Sequence, residues 1–213
     1  GATATVTLTK GTLDTNGQTC SWGLLNSSNS NVRVFTLGAS AITISGVGTC
    51  WTFSTATNLT FNANTSSITF TGSAAVTLEP GAKTFYTVVF SNSASALIAS
   101  TGGTFTNLTR NGTATKTDSF ILGTGTQTVT GVFTIAGNSA TNRILLSSNT
   151  LGTARTITNS GATMTWSNVD VRDISLGTAF DASAITGGCG DCGGNTNITF
   201  TTPVTRYWVG GTG

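Results

Sequence analysis

The chain has 213 residues, enough for one large all-β domain, and only 8% of them are charged, against about a quarter in an ordinary soluble protein. Nine basic and seven acidic side chains are scattered singly for a net charge of +2, so no basic patch exists to grip nucleic acid, and no apolar run approaches the length of a membrane span. Histidine is absent, which excludes Ser-His-Asp and Cys-His catalysis and removes the commonest metal ligand. The N-terminus shows no basic-then-apolar leader. Thr, Ser, Asn and Gly fill the polar positions, and with lysine only at Lys10, Lys83 and Lys116 the composition suits a durable extracellular surface.

The first predicted element is the alternating stretch Val6-Thr7-Leu8. Asn16-Gly17 follows as a candidate turn, and a second apolar-Thr-apolar word stands at Phe35-Thr36-Leu37. Five such words then come in quick succession: Ile42-Thr43-Ile44, Trp51-Thr52-Phe53, Leu59-Thr60-Phe61, Ile68-Thr69-Phe70 and Val76-Thr77-Leu78. Each reads as a short strand with one buried face, and the gaps between them hold turn residues. The central threonines are eight or nine residues apart, so three strands make a coil of 25 or 26 residues, with Thr43 above Thr69 and Thr52 above Thr77. That spacing predicts a three-sided parallel β-solenoid, with apolar columns inside, threonine ladders outside, and Asn and Gly at corners where φ turns positive. The alternative is an antiparallel β-sandwich whose hairpins use Asn16-Gly17 and Asn111-Gly112.

Further words occur at Phe133-Thr134-Ile135, Met164-Thr165-Trp166 and Ile198-Thr199-Phe200. Trp51 and Trp166 fall at core positions of this alternation, whereas Trp22, Tyr207 and Trp208 are candidates for an exposed sugar platform or a contact with a neighbouring copy. In the segment Ser167 to Asp173, Asn168, Asp170 and Arg172 share the outer face, so Asp170 and Arg172 are placed to pair along the strand. With Asp173, Asp181 and Asp191 they form the one conceivable carboxylate cluster, weighed against ordinary solvated strand charges. An ice-binding threonine array fits poorly, because successive words fall on different sides of a three-sided coil. Six N-x-S/T triplets, at Asn26, Asn58, Asn64, Asn107, Asn111 and Asn197, arise easily in so Ser- and Thr-rich a chain.

The sharpest local motif is TGGCGDCGGN, Thr186 to Asn195, with Cys189 and Cys192 at C-x-x-C spacing in a bed of glycine. Zinc would need two more ligands, and only Cys20 and Cys50 remain; a redox site would need a helix N-terminus in a βαβ setting. Disulfides are the favoured reading, paired most simply as Cys20 with Cys50 and Cys189 with Cys192, although three connectivities are open.

Three stretches carry a resemblance: Asn16 to Gly72, Asn142 to Ala182, and TRYWVGGTG at Thr205 to Gly213. They resemble repetitive β-helix-type surface and fibre proteins of uncultured tailed phages and environmental bacteria. Asn142 to Ala182 is similar to the closing segment of right-handed parallel β-helix modules, which implies that hand for the solenoid, and Thr205 to Gly213 to the opening of a further module. The resemblance implies a fibre, filament or surface location and no catalytic residue. The expectation is therefore a single solenoid domain over residues 1–203, with 204–213 a tail or the start of a further module. Its role is structural, in an extracellular fibre, filament or virion appendage, without cofactor or metal. Assembly with copies or neighbouring modules would use Val6, Leu8, Tyr207 and Trp208. A carbohydrate-binding adhesin is the runner-up, with a cell-surface glycan as partner, and a polysaccharide-cleaving enzyme comes third.

Overall fold

The structure is a computed structural model, and it describes residues 4–202. Among the described residues there is no helix, and every strand pairing is parallel. The fold is the β-solenoid, in about eight turns, and not the sandwich. Three coils open the stack with three strands each: β1 (Thr5–Thr7), β2 (Gly11–Asp14) and β3 (Cys20–Trp22); β4 (Leu24–Asn26), β5 (Arg33–Thr36) and β6 (Ala41–Ile44); β7 (Gly48–Thr52), β8 (Leu59–Asn62) and β9 (Ser67–Phe70). The next three have two: β10 (Val76–Glu79) and β11 (Thr84–Phe90); β12 (Ala96–Ile98) and β13 (Gly103–Asn111); β14 (Asp118–Leu122) and β15 (Gln127–Ala136). The stack ends with β16 (Ile144–Ser148), β17 (Arg155–Thr158) and β18 (Thr163–Ser167), then β19 (Val169–Arg172) and β20 (Ile174–Asp181), then β21 (Cys189–Asp191) and β22 (Thr196–Thr199).

Three sheets run along the stack. The first, with nine strands, begins at β1 and ends at β21; the second holds β2, β5 and β8; the third runs from β3 to β22. Beyond β8 the second face fuses into the third. Thr84-Phe85 pair with Thr104-Phe105 while Thr87 to Phe90 continue the third face, so one long strand bends around what was a corner. At Gly131 of β15 the bend takes an extra residue, because Phe105 faces Val129 but Asn107 faces Val132.

All five apolar-Thr-apolar words fall on strands, with Phe53 one residue past the end of β7, and Thr43 stands above Thr69 as expected. The ladder on the third face runs Ser21, Thr43, Thr69, Val89, Thr109, Thr134 and Thr165. Thr52 does not stack on Thr77. Thr77 faces Thr49 and Leu78 faces Trp51, which leaves Cys50 as the extra residue of a bulge and sets Thr52 against Glu79. Coil length also varies, from the 18-residue offset of Phe180 and Ile198 to the 31-residue offset of Val132 and Thr163.

The corners use the expected chemistry. Asn16, Asn58 and Asn64 have φ of 51°, 56° and 50°. Asn16-Gly17 turns between β2 and β3, which belong to different sheets, so it closes no hairpin. Inside, Phe53, Phe85 and Phe105 stack in one column and Phe70, Phe90 and Phe120 in another, with successive ring centroids 4.8 to 6.2 Å apart. Trp51 and Trp166 are buried, as their alternation requires.

Candidate functional site

The C-x-x-C segment forms the last strand of the first sheet and the corner that follows it. Cys189 lies opposite Val169, Gly190 opposite Asp170 and Asp191 opposite Val171. The glycines have a steric reason: a Cβ at Gly190 would strike Oδ1 of Asp170, and one at Gly187, whose φ is 72°, would strike Oδ1 of Asn168. Polar side chains of one coil thus tuck beneath the bare backbone of the next. Oδ1 of Asp191 accepts the N–H of Gly193 at 2.9 Å and Nδ2 of Asn195 at 2.8 Å, and this closes the turn.

Neither expected disulfide is formed: Cys20, Cys50, Cys189 and Cys192 are all free. Cys20 is on β3 of the third sheet and Cys50 in the bulge of β7 of the first, with the β4 coil between them, too far apart along a stack that rises about 4.8 Å per coil. Burial, then the Asp170 carboxylate, pushes the Cys189 thiol up to about 12, and the same causes raise Cys192. Both shifts favour the thiol over the thiolate.

The stapling role falls to Arg143, which no sequence motif marks. Its Nε donates to Oδ2 of Asp170 at 2.8 Å, Nη1 to the carbonyl of Gly187 at 2.7 Å, and Nη2 to the carbonyls of Val169 at 2.7 Å and Gly188 at 3.1 Å. One guanidinium therefore ties three consecutive coils. The pairing of Asp170 with Arg172 is corrected accordingly: Arg172 instead approaches its neighbour Asp173 at 3.7 Å. Asp173 is itself buried, with φ of 55°, and accepts the N–H of Gly152. Among the described residues no three Cys, Asp or Glu side chains gather to hold a metal ion, Asp170, Asp173, Asp181 and Asp191 included.

Two more arginines lie wholly inside. Arg33 spends its donors on Ser27 Oγ and on the carbonyls of Ser27, Asn31, Thr55 and Thr57. Arg110 binds the carbonyls of Phe90, Asn92 and Ala94 and Oδ1 of Asn92, with Asp118 at 3.8 Å as counter-ion. The signal for both was present in the sequence: each stands at an inward position of its strand, in phase with Phe35 and with Leu108. A surface cavity of about 300 Å³ opens where the third face returns to the first, lined by Ala94, Ser95, Lys116, Thr117, Ser119 and Leu145.

Of the expected contact residues, Leu8 is buried in its own core and Val6 is half-buried, while Tyr207 and Trp208 lie outside the described residues. No family model, no curated protein and no solved structure matches this chain.

Proposed function

We propose that this chain is a structural module of an extracellular fibre, filament or virion appendage, non-catalytic and free of cofactors. The observation that carries the reading is the continuity of the stack. Nine strands follow one another in the first sheet without a break, and the largest investments in buried polar contacts, at Arg33, Arg110 and Arg143, all tie one coil to the next. Such an arrangement resists bending and shear along its axis, the property a shaft needs. Phage and bacterial surface fibres fit this reading best. Immunogold labelling of the native source in negative stain tests it: label along rods or appendages is expected, and label on dispersed globular particles or inside cells would overturn it.

A second reading, a carbohydrate-binding adhesin, is favoured by the cavity beside Lys116, whose hydroxyls and single cation over an aliphatic floor suit a sugar ring. A glycan-array signal abolished by Lys116→Ala would move this reading ahead of the first.

A further inference from the structure

The chain holds two Asn-Gly pairs, Asn16-Gly17 and Asn111-Gly112, and in a stack whose strand pairings are all parallel neither closes a hairpin. Their chemistry is a separate matter. With no side chain on the second residue to hinder it, the glycine nitrogen can attack the asparagine side-chain amide, so such pairs are thermolabile. The reaction needs that amide and the glycine N–H to be unengaged, and the fold treats the two pairs differently.

At the first pair both groups are free. Asn16 and Gly17 are the exposed central residues of a turn, with φ of 51° and 71°, closed by the N–H of Gln18 donating to the carbonyl of Thr15 at 2.9 Å. Among the described residues, neither the N–H of Gly17 nor the side-chain amide of Asn16 makes a hydrogen bond. This freedom belongs to the turn and not to its place in the opening coil. Ala39 follows Gly38 at the same position of the next turn, with the Asn16-Gly17 turn stacked against it, and among the described residues its N–H makes no bond either. A Cβ on Gly38 would stand 3.2 Å from the Gly17 nitrogen, so a bare glycine there leaves that nitrogen uncrowded.

The second pair is locked. Nδ2 of Asn111 donates to Oγ of Ser91 at 3.0 Å, and the N–H of Gly112 donates to the carbonyl of Ala136 at 2.8 Å. Asn64, with φ of 50° in the third turn of the first corner, is also held back: the N–H of Thr65 donates to the carbonyl of Gly38 at 3.1 Å, and its β-branched side chain crowds the nitrogen.

We propose that Asn16 is a site of spontaneous deamidation in the folded protein, while Asn111 is protected by its sheet. The nitrogen of Gly17, its proton lost to hydroxide, bonds to Cγ of Asn16; the Cγ–Nδ2 bond breaks, ammonia leaves, and a succinimide joins the two residues. Water then opens the ring at either carbonyl and leaves aspartate or isoaspartate at position 16. Both products set a carboxylate beside Asp14, whose Oδ1 already accepts the N–H of Asn16 at 2.7 Å. Isoaspartate also adds a main-chain carbon between Thr15 and Gln18, the two residues whose bond closes the turn. Conversion therefore loosens the corner between β2 and β3, and this holds whether or not the chain serves as a shaft.

The test is peptide mapping of the full 213-residue chain after incubation at mildly alkaline pH, folded or in urea, with isoaspartate counted by enzymatic methylation. In the folded protein Asn16 should convert at least about tenfold faster than Asn111, because Asn111 must first open locally out of its sheet. In urea the two rates should converge. Hydroxylamine, which cleaves the succinimide, should cut the folded chain after Asn16 and the unfolded chain after both asparagines. Asn16→Gln should abolish the early signal and leave Asn111 as slow as before. Hydrogen exchange of the converted protein should quicken over residues 11–22 and stay unchanged in β13 to β15. The proposal is overturned if Asn16 converts in urea but not in the folded chain, or if Asn111 keeps pace with Asn16 while the protein is folded.

Discussion

Arg33 and Arg110 are both fully buried arginines at corners of the same solenoid, and they solve the same problem in opposite ways. Arg33 lies in the three-sided half, where long loops between the first and second faces curl back over each other. Its guanidinium fills the inside of that corner and is surrounded by carbonyls of two successive coils, with no carboxylate among its partners. Arg110 lies in the fused half, at the return from the third face to the first. There the carbonyls of Phe90, Asn92 and Ala94 and Oδ1 of Asn92 cover only part of the fork, and Asp118 supplies the negative charge. Nε of Arg110 and Oδ1 of Asp118 have no hydrogen-bond partner. A carbonyl cage is written into the path of the main chain, whereas an ion pair is a property of two side chains and can be exchanged for other side chains. The first kind of corner fixes the backbone; the second fills a space.

The largest effect is expected where that exchange is done by halves. Asp118→Leu leaves a desolvated guanidinium without its counter-ion and should cost about 3–5 kcal/mol in urea unfolding. A loss under about 1 kcal/mol would mean that the carbonyls around Arg110 suffice, and the contrast with Arg33 would collapse. Arg33→Met comes next, at about 2–4 kcal/mol, because four carbonyls lose their donor but those of Asn31, Thr55 and Thr57 border exposed positions and regain water. The same variant should speed hydrogen exchange at residues 27–33 and 55–59 and leave β13 to β15 protected. Uniform loss of protection along the whole stack would show that this corner is not a local clamp.

What the sequence disclosed follows from the range of the forces involved. Alternation and corner residues are local, so the words from Ile42 to Leu78 announce their strands, and two of them announce their register, Thr43 over Thr69. The register of Thr52 depends on whether Cys50 bulges, and that is settled by how β10 seats Leu78 on Trp51, a contact between residues 27 apart. The fused faces begin where TFYTVVF breaks phase at Tyr86-Thr87, a one-residue slip too small to separate from noise in a Thr-rich chain. The C-x-x-C turn was located correctly, but Arg143 and Asp170 meet only because one coil here takes 25 residues, as Ile144 over Val169 attests. Arg33 and Arg110 were visible by phase and hidden by residue type, since an arginine in a strand is ordinarily read as surface.

The smallest effect tests the ion pair from the other side. Replacing both partners, Arg110→Met with Asp118→Leu, should cost less than Asp118→Leu alone, about 1–3 kcal/mol, because the desolvation of two charges disappears with their attraction while the carbonyls of Phe90, Asn92 and Ala94 still lose their donor. The two proteins should then part at alkaline pH. Burial, opposed by the Asp118 charge, lowers the Arg110 pKa from its ordinary value to about 10. A group whose folded pKa lies below its unfolded one holds its proton more tightly in the unfolded chain. Below about pH 10 both states carry the charge and the fold bears the full cost of burying it. Above about pH 10, and until the unfolded chain titrates in its turn, the folded state sheds that proton first, so stability gains up to about 1.4 kcal/mol per pH unit from this group. Every other ionisable side chain is common to both proteins and cancels in the difference. Urea midpoints measured from about pH 9 to about pH 11.5 should therefore show the wild type gaining on the double variant by about 1 kcal/mol, with the rise starting near pH 10. Parallel curves would mean that the guanidinium stays charged throughout, held by its three carbonyls as firmly as Arg33 is by four, and the two corners would then be one device.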